Sequence, residues 1–371
     1  MNQTLVSYLS KYEIYQSLLE LLGGNVSLLA FITYLVAALL IVTVCATIGG
    51  LGTYAERKIS ADLQARHGPN RVGPYGLLQF LADGVKMITK EDIMPFSADK
   101  FLFYLAPLLA LVGVFATLAV FPWSSGLAMT DLNVGVFYLV AISSLVGLGI
   151  FLGGYASNSK WSMLGGMRGA SQIISYEIPV VLSILAVVLL AGGMGFGTIV
   201  SQQKGLPFNW FILHNPFAFI AFFVLFTGSL AETNRAPFDL PEAESELVSG
   251  YHTEYTGMRF GFFALAEYIE VFVVCGVSVA LFLGGSNLPI NIDLDIFPLQ
   301  IVEIIIFVTK TLLLYYVVIW IRWTLPRLRV DQLMSICWKY LTPIAIFNLV
   351  GCAVWMVVFN GRSLADLIFG H

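Results

Sequence analysis

Carboxylates are the residues here whose type and spacing suit chemistry. Between positions 231 and 270 the chain carries Glu232, Asp239, Glu242, Glu244, Glu246, Glu254, Glu267 and Glu270 against only Arg235 and Arg259, a local excess of six negative charges. A further acid stands in Ser175-Tyr176-Glu177-Ile178-Pro179. Desolvation and mutual repulsion both favour the neutral form of a carboxyl group, so clustered acids are suited to holding and passing protons. The plainer alternative is a set of glutamates at the level of water and lipid headgroups. Asp239 and Glu242 also have capping-box spacing, and acids in a first helical turn complement the helix dipole. Capping accounts for about two or three of these carboxylates, not for all of them.

The elements that must hold these acids are membrane-spanning helices. Hydrophobic residues make up 58% of the 371 and charged residues 11%, against roughly 25% charged in soluble domains. Runs without Asp, Glu, Lys, Arg or His extend over Leu21–Ala55, Phe101–Thr130 and Leu132–Ser159, and about 20 apolar residues suffice to cross a bilayer. Eight spans are expected, at about 28–52, 101–121, 134–156, 175–193, 215–235, 261–285, 299–321 and 340–360. The pattern is that of an all-α polytopic membrane protein with about eight transmembrane helices, an N-terminal amphipathic helix and interfacial loop helices. Glu177 then sits at the start of the fourth span, and Glu267 and Glu270 lie inside or at the rim of the sixth. Glu303 and Lys310, two helical turns apart in the seventh, should turn one face of that span into protein.

Lys and Arg concentrate in the odd loops, which together with Arg235 at the end of the fifth span hold 15 of the 19. The positive-inside rule therefore puts those loops, at 53–100, 157–174, 236–260 and 322–339, on the cytoplasmic side and both termini on the other. Residues 1–25, with no basic region before an apolar core, do not read as a cleaved signal. Leu5, Leu9, Tyr12, Leu19 and Leu22 recur there at roughly helical spacing, as in a helix lying on a membrane surface. Residues 28–371 read as a single membrane domain.

In the first loop, His67-Gly68-Pro69-Asn70-Arg71-Val72-Gly73-Pro74-Tyr75-Gly76 supplies tight turns. Leu77, Leu81, Val85 and Ile88 then share one face of an expected interfacial helix. Its basic residues serve topology and lipid headgroups, or else a docking collar or the polar mouth of a cavity open to lipid. Other chemistries find no support. A net charge of −4 without a long basic run argues against nucleic acid. Cys45, Cys275, Cys337 and Cys352 form no CxxC pair and read as small buried hydrophobes. His67, His214, His252 and His371 have no metal-ligand spacing, and Gly193-Met194-Gly195-Phe196-Gly197 reads as a turn rather than a nucleotide loop.

Several runs resemble the membrane subunit of respiratory complex I that seats the quinone site, the family called membrane subunit 1, or the H subunit, of proton-translocating NADH:quinone oxidoreductase. In the first loop they are Glu56-Arg57-Lys58, Gly68 to Gln79, Ala82-Asp83-Gly84-Val85-Lys86 and Lys90-Glu91-Asp92. Equally specific are Ser175-Tyr176-Glu177 and the run from Glu232 to Val248, continuing into Tyr251-His252-Thr253-Glu254-Tyr255. The resemblance covers about residues 28–360 and implies a quinone chamber formed by Arg57, Arg66, Asp83, Arg235, Phe238, Asp239, Met258 and Phe262. It also implies a proton relay through Glu177, Glu232, Glu242, Glu244, Glu246 and Glu267. Quinone would be the substrate, with no cofactor bound by this chain alone. NADH, FMN and iron–sulfur clusters would belong to partner subunits.

The partners implied are hydrophilic iron–sulfur and quinone-site subunits on the cytoplasmic side, together with small and antiporter-like membrane subunits in a bacterial cytoplasmic (inner) membrane. Two other readings compete: the equivalent subunit of a membrane-bound hydrogenase, and a stand-alone proton or cation transporter. The first-loop and fifth-loop runs favour the quinone enzyme, and a transporter should show paired broken helices in two halves.

Overall fold

The computed structural model describes residues 26–124, 130, 132–205, 207–288, 297–359 and 364, and every regular element among them is helical. The amphipathic helix expected over 1–27 falls almost wholly outside these residues. In chain order the helices are α1 (Val26–Leu63), α2 (Gln79–Thr89), α3 (Lys100–Leu118), α4 (Gly135–Ala156) and α5 (Lys160–Ala191). The short α6 (Phe196–Gln202) and α7 (Phe211–His214) lead into α8 (Pro216–Glu232), α9 (Glu244–Leu247), α10 (Gly257–Phe282) and α11 (Phe297–Thr324). Finally α12 (Val330–Ser335) runs through a π-helical turn, Ile336–Leu341, into α13 (Thr342–Val358).

Seven of these helices are long and apolar enough to cross a membrane: α1, α3, α4, α5, α10, α11 and the continuous α12–α13. The eighth, α8, is apolar but has 17 residues. At 1.5 Å per residue it reaches about 25 Å, the short end of the range for a spanning helix. The chain is thus an all-α polytopic membrane protein with apolar helices at all eight expected positions.

The centre of the bundle is α10, with 72% of its apolar window buried against 11% for α1. It packs against α1, α3, α8 and α11. A helix apolar on all sides is either lipid-facing or enclosed by other helices, and α10 is the enclosed kind. Small residues allow such contact. A Cβ on Gly154 of α4 would stand 2.5 Å from the Ser162 carbonyl oxygen of α5, and one on Gly50 of α1 would stand 2.5 Å from the Phe80 ring of α2.

The α4–α5 contact also changes where the fourth span begins. Hydropathy placed its start near 175, but α5 is already helical at Lys160. Gly165, Gly166 and Gly169, all buried, are neutral to hydropathy yet let helix backbones touch, so packing rather than apolar length sets this end. Glu177 therefore lies inside a helix of 32 residues and not at its start.

On α11 the inward face is as expected. Glu303 is buried, and Lys310 Nζ donates to the carbonyls of Leu283 (2.9 Å) and Gly285 (3.1 Å) beyond the end of α10. It also lies 4.3 Å from the Trp210 ring centroid. Helix-end carbonyls lack intrahelical donors, and the ammonium supplies them. All four cysteines are free and buried. The interfacial helix forms as α2, with Leu81, Val85 and Ile88 exposed.

Candidate functional site

The site is organised around one buried arginine. Arg235, in the turn after α8, is 4% exposed. Its Nη1 lies 2.7 Å from Glu56 of α1 and its Nε 2.5 Å from Glu267 of α10, while the guanidinium sits 4.1 Å over the Tyr268 ring. Glu56 also pairs with Arg322 of α11. Buried charges are tolerated only when paired and hydrogen-bonded, and this knot joins three spans to one turn. Burial alone would lower the Arg235 pKa, but the Glu267 and Glu56 carboxylates outweigh it and hold it well above the usual value.

The turn is fastened from behind. Gln172 Nε2 of α5 donates to the carbonyls of Ala231 (2.8 Å) and Phe238 (2.7 Å). The Phe238 ring is buried against Tyr176, 5.7 Å between centroids, and the Tyr176 hydroxyl donates to the Leu333 carbonyl at 2.9 Å. Asp239 and Glu242 cap no helix, contrary to their spacing; α9 begins after Ala243 without a side-chain cap. Asp239 instead accepts from Arg327 Nη2 at 2.8 Å, because a full counter-charge outbids a helix-end dipole.

Beside this turn Glu242 meets two titratable rings. The Tyr251 hydroxyl donates to its Oε1 at 3.4 Å, and His252 Nδ1 stands 3.4 Å from the same oxygen. Burial, reinforced by the Asp239 carboxylate, raises the Glu242 pKa to about 7. Burial lowers that of His252 to about 4, and it pushes the Tyr251 phenol well above its usual range. Near neutral pH, then, the imidazole and phenol are uncharged and Glu242 is the group that exchanges protons.

Inward from Tyr251 lie two small cavities. The first, of about 10 Å³, is lined by Thr233, Asn234, Tyr251, Glu267 and Glu270 among others. The second, of about 50 Å³, is lined by Glu177, Ser229, Glu232, Glu270 and mostly apolar neighbours from α3, α4, α5, α8 and α10. A buried water needs roughly 10–15 Å³ and two to four polar partners, so the smaller cavity has room for about one water and the larger for about four. Arg, Glu and Tyr side chains thus form a series from the turn into the middle of the bundle.

A separate group lies on the first loop. Arg57 Nη1 is 2.5 Å from Asp83 of α2, and Lys86 is 3.8 Å from the same carboxylate. Arg66 is exposed and donates to Gln64 at 2.6 Å. On α10, Met258 is exposed and Phe262 half-buried, while Arg259 pairs with Asp92 at 2.8 Å.

A family profile described as NADH dehydrogenase matches residues 35–353. A protein of Anaeromyxobacter dehalogenans, named as the H subunit of NADH-quinone oxidoreductase, is 45% identical over 338 residues, covering 87% of this chain and 82% of the relative. Proteins with the same name from Brevibacillus brevis and Bacteroides fragilis are each 47% identical, covering 88% and 94% of this chain and 94% and 96% of theirs. The chain belongs to the H-subunit family of NADH-quinone oxidoreductase.

The residues expected from the family resemblance separate into three places. Arg235, Phe238 and Asp239 sit together in the fastened turn. Arg57 and Asp83 make a surface pair with Arg66 on the same loop, and Met258 and Phe262 lie at the start of α10. None of these eight lines either cavity described above. Of the expected relay, Glu177 and Glu232 share the larger cavity, Glu267 lines the smaller, and Glu242 reaches the smaller through Tyr251. Glu246 stands apart, exposed and paired with Arg168 at 2.5 Å. The Glu244 side chain lies outside the described residues.

Sequence reasoning missed Glu56, Asn234 and Tyr251 as site residues and left Glu270 out of the relay. Glu56 had a readable signal, an acid closing a long charge-free run. Asn234 and Tyr251 had none, since only folding brings them to a cavity.

Proposed function

We propose that this chain forms the quinone entrance and chamber of an NADH:quinone oxidoreductase and couples quinone reduction to proton translocation through its buried carboxylates. The family membership supplies the coarse statement, a membrane subunit of that complex. Support for the finer one comes from the series of titratable groups leading from Glu242, poised near neutral pH, through Tyr251 and the two cavities to Glu177 and Glu232.

In this reading quinone enters from the bilayer beside α1 and α10. Arg57, Arg66, Asp83, Arg235, Phe238, Asp239, Met258 and Phe262 shape its path and headgroup position. A partner subunit delivers two electrons, and the quinone takes up two protons to become quinol. This chain carries no redox group; NADH, FMN and iron–sulfur clusters sit on hydrophilic partners facing the cytoplasmic odd loops. Glu177, Glu232, Glu242, Glu244, Glu246 and Glu267 pass the resulting proton demand toward antiporter-like membrane partners. Moving one carboxyl pKa by a single unit takes about 1.4 kcal/mol, so a few coupled carboxylates suffice to bias a two-state element. Residues 28–371 act as one membrane domain in a bacterial inner membrane, with both termini opposite the cytoplasmic loops.

The test is Glu177→Gln and Glu246→Gln in the assembled complex, read as proton translocation per quinone reduced. Glu177→Gln should lower coupled activity while the complex still assembles, and Glu246→Gln should do so more weakly because that carboxylate is exposed. Normal pumping in both would sink the relay.

A further inference from the structure

We infer that Glu270 is the junction of the proton path, passing protons between the small cavity at Asn234 and the larger one at Glu177 and Glu232. The inference rests on the relay reading above but adds a residue and a water site to it. Val146 and Glu270 line both cavities, and Val146 cannot carry a proton. Any hop from one cavity to the other by way of a shared titratable wall residue must therefore use the Glu270 carboxyl.

Helix geometry explains how Glu270 comes to this position. It follows Glu267 by three residues on α10, so both project from one face. Glu267 is held by Arg235 at 2.5 Å. Among the described residues Glu270 makes no salt bridge. The Arg235 contact fixes Glu267 in place, while Glu270, with no such counter-ion among the described residues, faces both cavities.

A second observation points to a water in the smaller cavity. Asn234 is 6% exposed, and its Oδ1 is buried without a hydrogen-bond partner. Its backbone lies at φ 51°, in the left-handed region that Asn tolerates better than most residues. A buried amide oxygen without a donor is costly, and Asn234 lines the cavity of about 10 Å³ that it shares with Tyr251, Glu267 and Glu270. One water there satisfies Asn234 and bridges Tyr251 to Glu270.

The path is then Glu242, the Tyr251 hydroxyl, the Asn234-held water, Glu270, the waters of the larger cavity, and Glu232 or Glu177. Each hop moves one proton from a donor oxygen to an acceptor oxygen. The donor is recharged from the Glu242 side, with no change in oxidation state.

The experiment places Glu270→Gln, Glu270→Asp and Asn234→Gly in the assembled complex in inverted membrane vesicles. It measures quinone-linked proton uptake, NADH oxidation by a soluble artificial acceptor, and the infrared difference band of protonated carboxyl groups. Glu270→Gln should lower quinone-linked proton uptake by about tenfold or more and remove one carboxyl band, with the artificial-acceptor rate intact. Glu270→Asp should restore part of the uptake, and Asn234→Gly, which suits the positive φ but deletes the amide, should lower it too. Normal uptake in Glu270→Gln beside impaired Glu177→Gln and Glu242→Gln overturns the junction and leaves the relay standing. Normal uptake in all three overturns both. If Glu270→Gln does not assemble, Asn234→Gly and Glu270→Asp decide: normal uptake in both overturns the junction.

Discussion

The Arg235–Glu56 and Arg57–Asp83 pairs are made of the same groups at nearly the same separation, 2.7 and 2.5 Å. Their surroundings differ: the side chains of the first are 4% and 8% exposed, those of the second 50% and 22%. In the first pair each charge has lost its water, so removing either partner leaves a buried charge network out of balance. In the second, water replaces whatever is removed. Distance alone therefore says little about what an ion pair does; desolvation decides it.

The largest expected effect follows directly. Arg235→Ala leaves Glu267 without its counter-ion and Glu56 with Arg322 alone, and should cost about 3–5 kcal/mol, read as loss of assembly or a sharply lowered unfolding temperature of the purified complex. A small change would mean that water reaches the knot and that the contrast between the pairs is false.

Next comes the edge of the buried region, where Glu242 and His252 oppose each other. Glu242 is raised from 4.5 to about 7. Between those values the folded state keeps a proton the unfolded chain has lost, so this group's contribution to stability falls as pH rises. His252 is lowered from 6.5 to about 4. There the unfolded chain binds the extra proton, so stability rises with pH across that window and is lost as pH falls through it. The two slopes, each about 1.4 kcal/mol per pH unit, nearly cancel from about pH 4.5 to 6.5. Glu242→Gln should unmask a profile rising with pH and His252→Asn one falling with pH in thermal unfolding. Unchanged profiles in both would place the two groups in water.

The smallest effects on stability belong to the exposed pairs. Arg57→Ala and Arg168→Ala should each change stability by about 1 kcal/mol or less, yet Arg57→Ala should impair quinone reduction if Arg57 shapes the chamber. Full quinone reductase activity in Arg57→Ala would remove it from that role, and a large stability loss would show the loop pair to be buried in the assembled complex.

Much of the fold was legible because a bilayer imposes a length and polarity rule on each span. Every expected span has its apolar helix, including α8, whose 17 residues suffice only just. The boundary at Lys160 was not legible: the glycines that carry α5 past its apolar stretch act by letting backbones touch. Asp239 shows the same limit in the site, since its spacing suited a cap and its folded partner, Arg327, is 88 residues away.

The acidic excess between positions 231 and 270, the helical architecture and the family runs were determined by the sequence by itself. They depend on composition and on neighbours along the chain. Only the tertiary structure decided which carboxylate is locked and which is free. Arg235 could have paired with any of several acids, and the approach of α1, α10 and α11 gives it Glu56 and Glu267. Glu270, one helical turn from Glu267, is left facing two cavities. Burial and counter-ion distance are properties of the packed chain, and they set where a proton can rest.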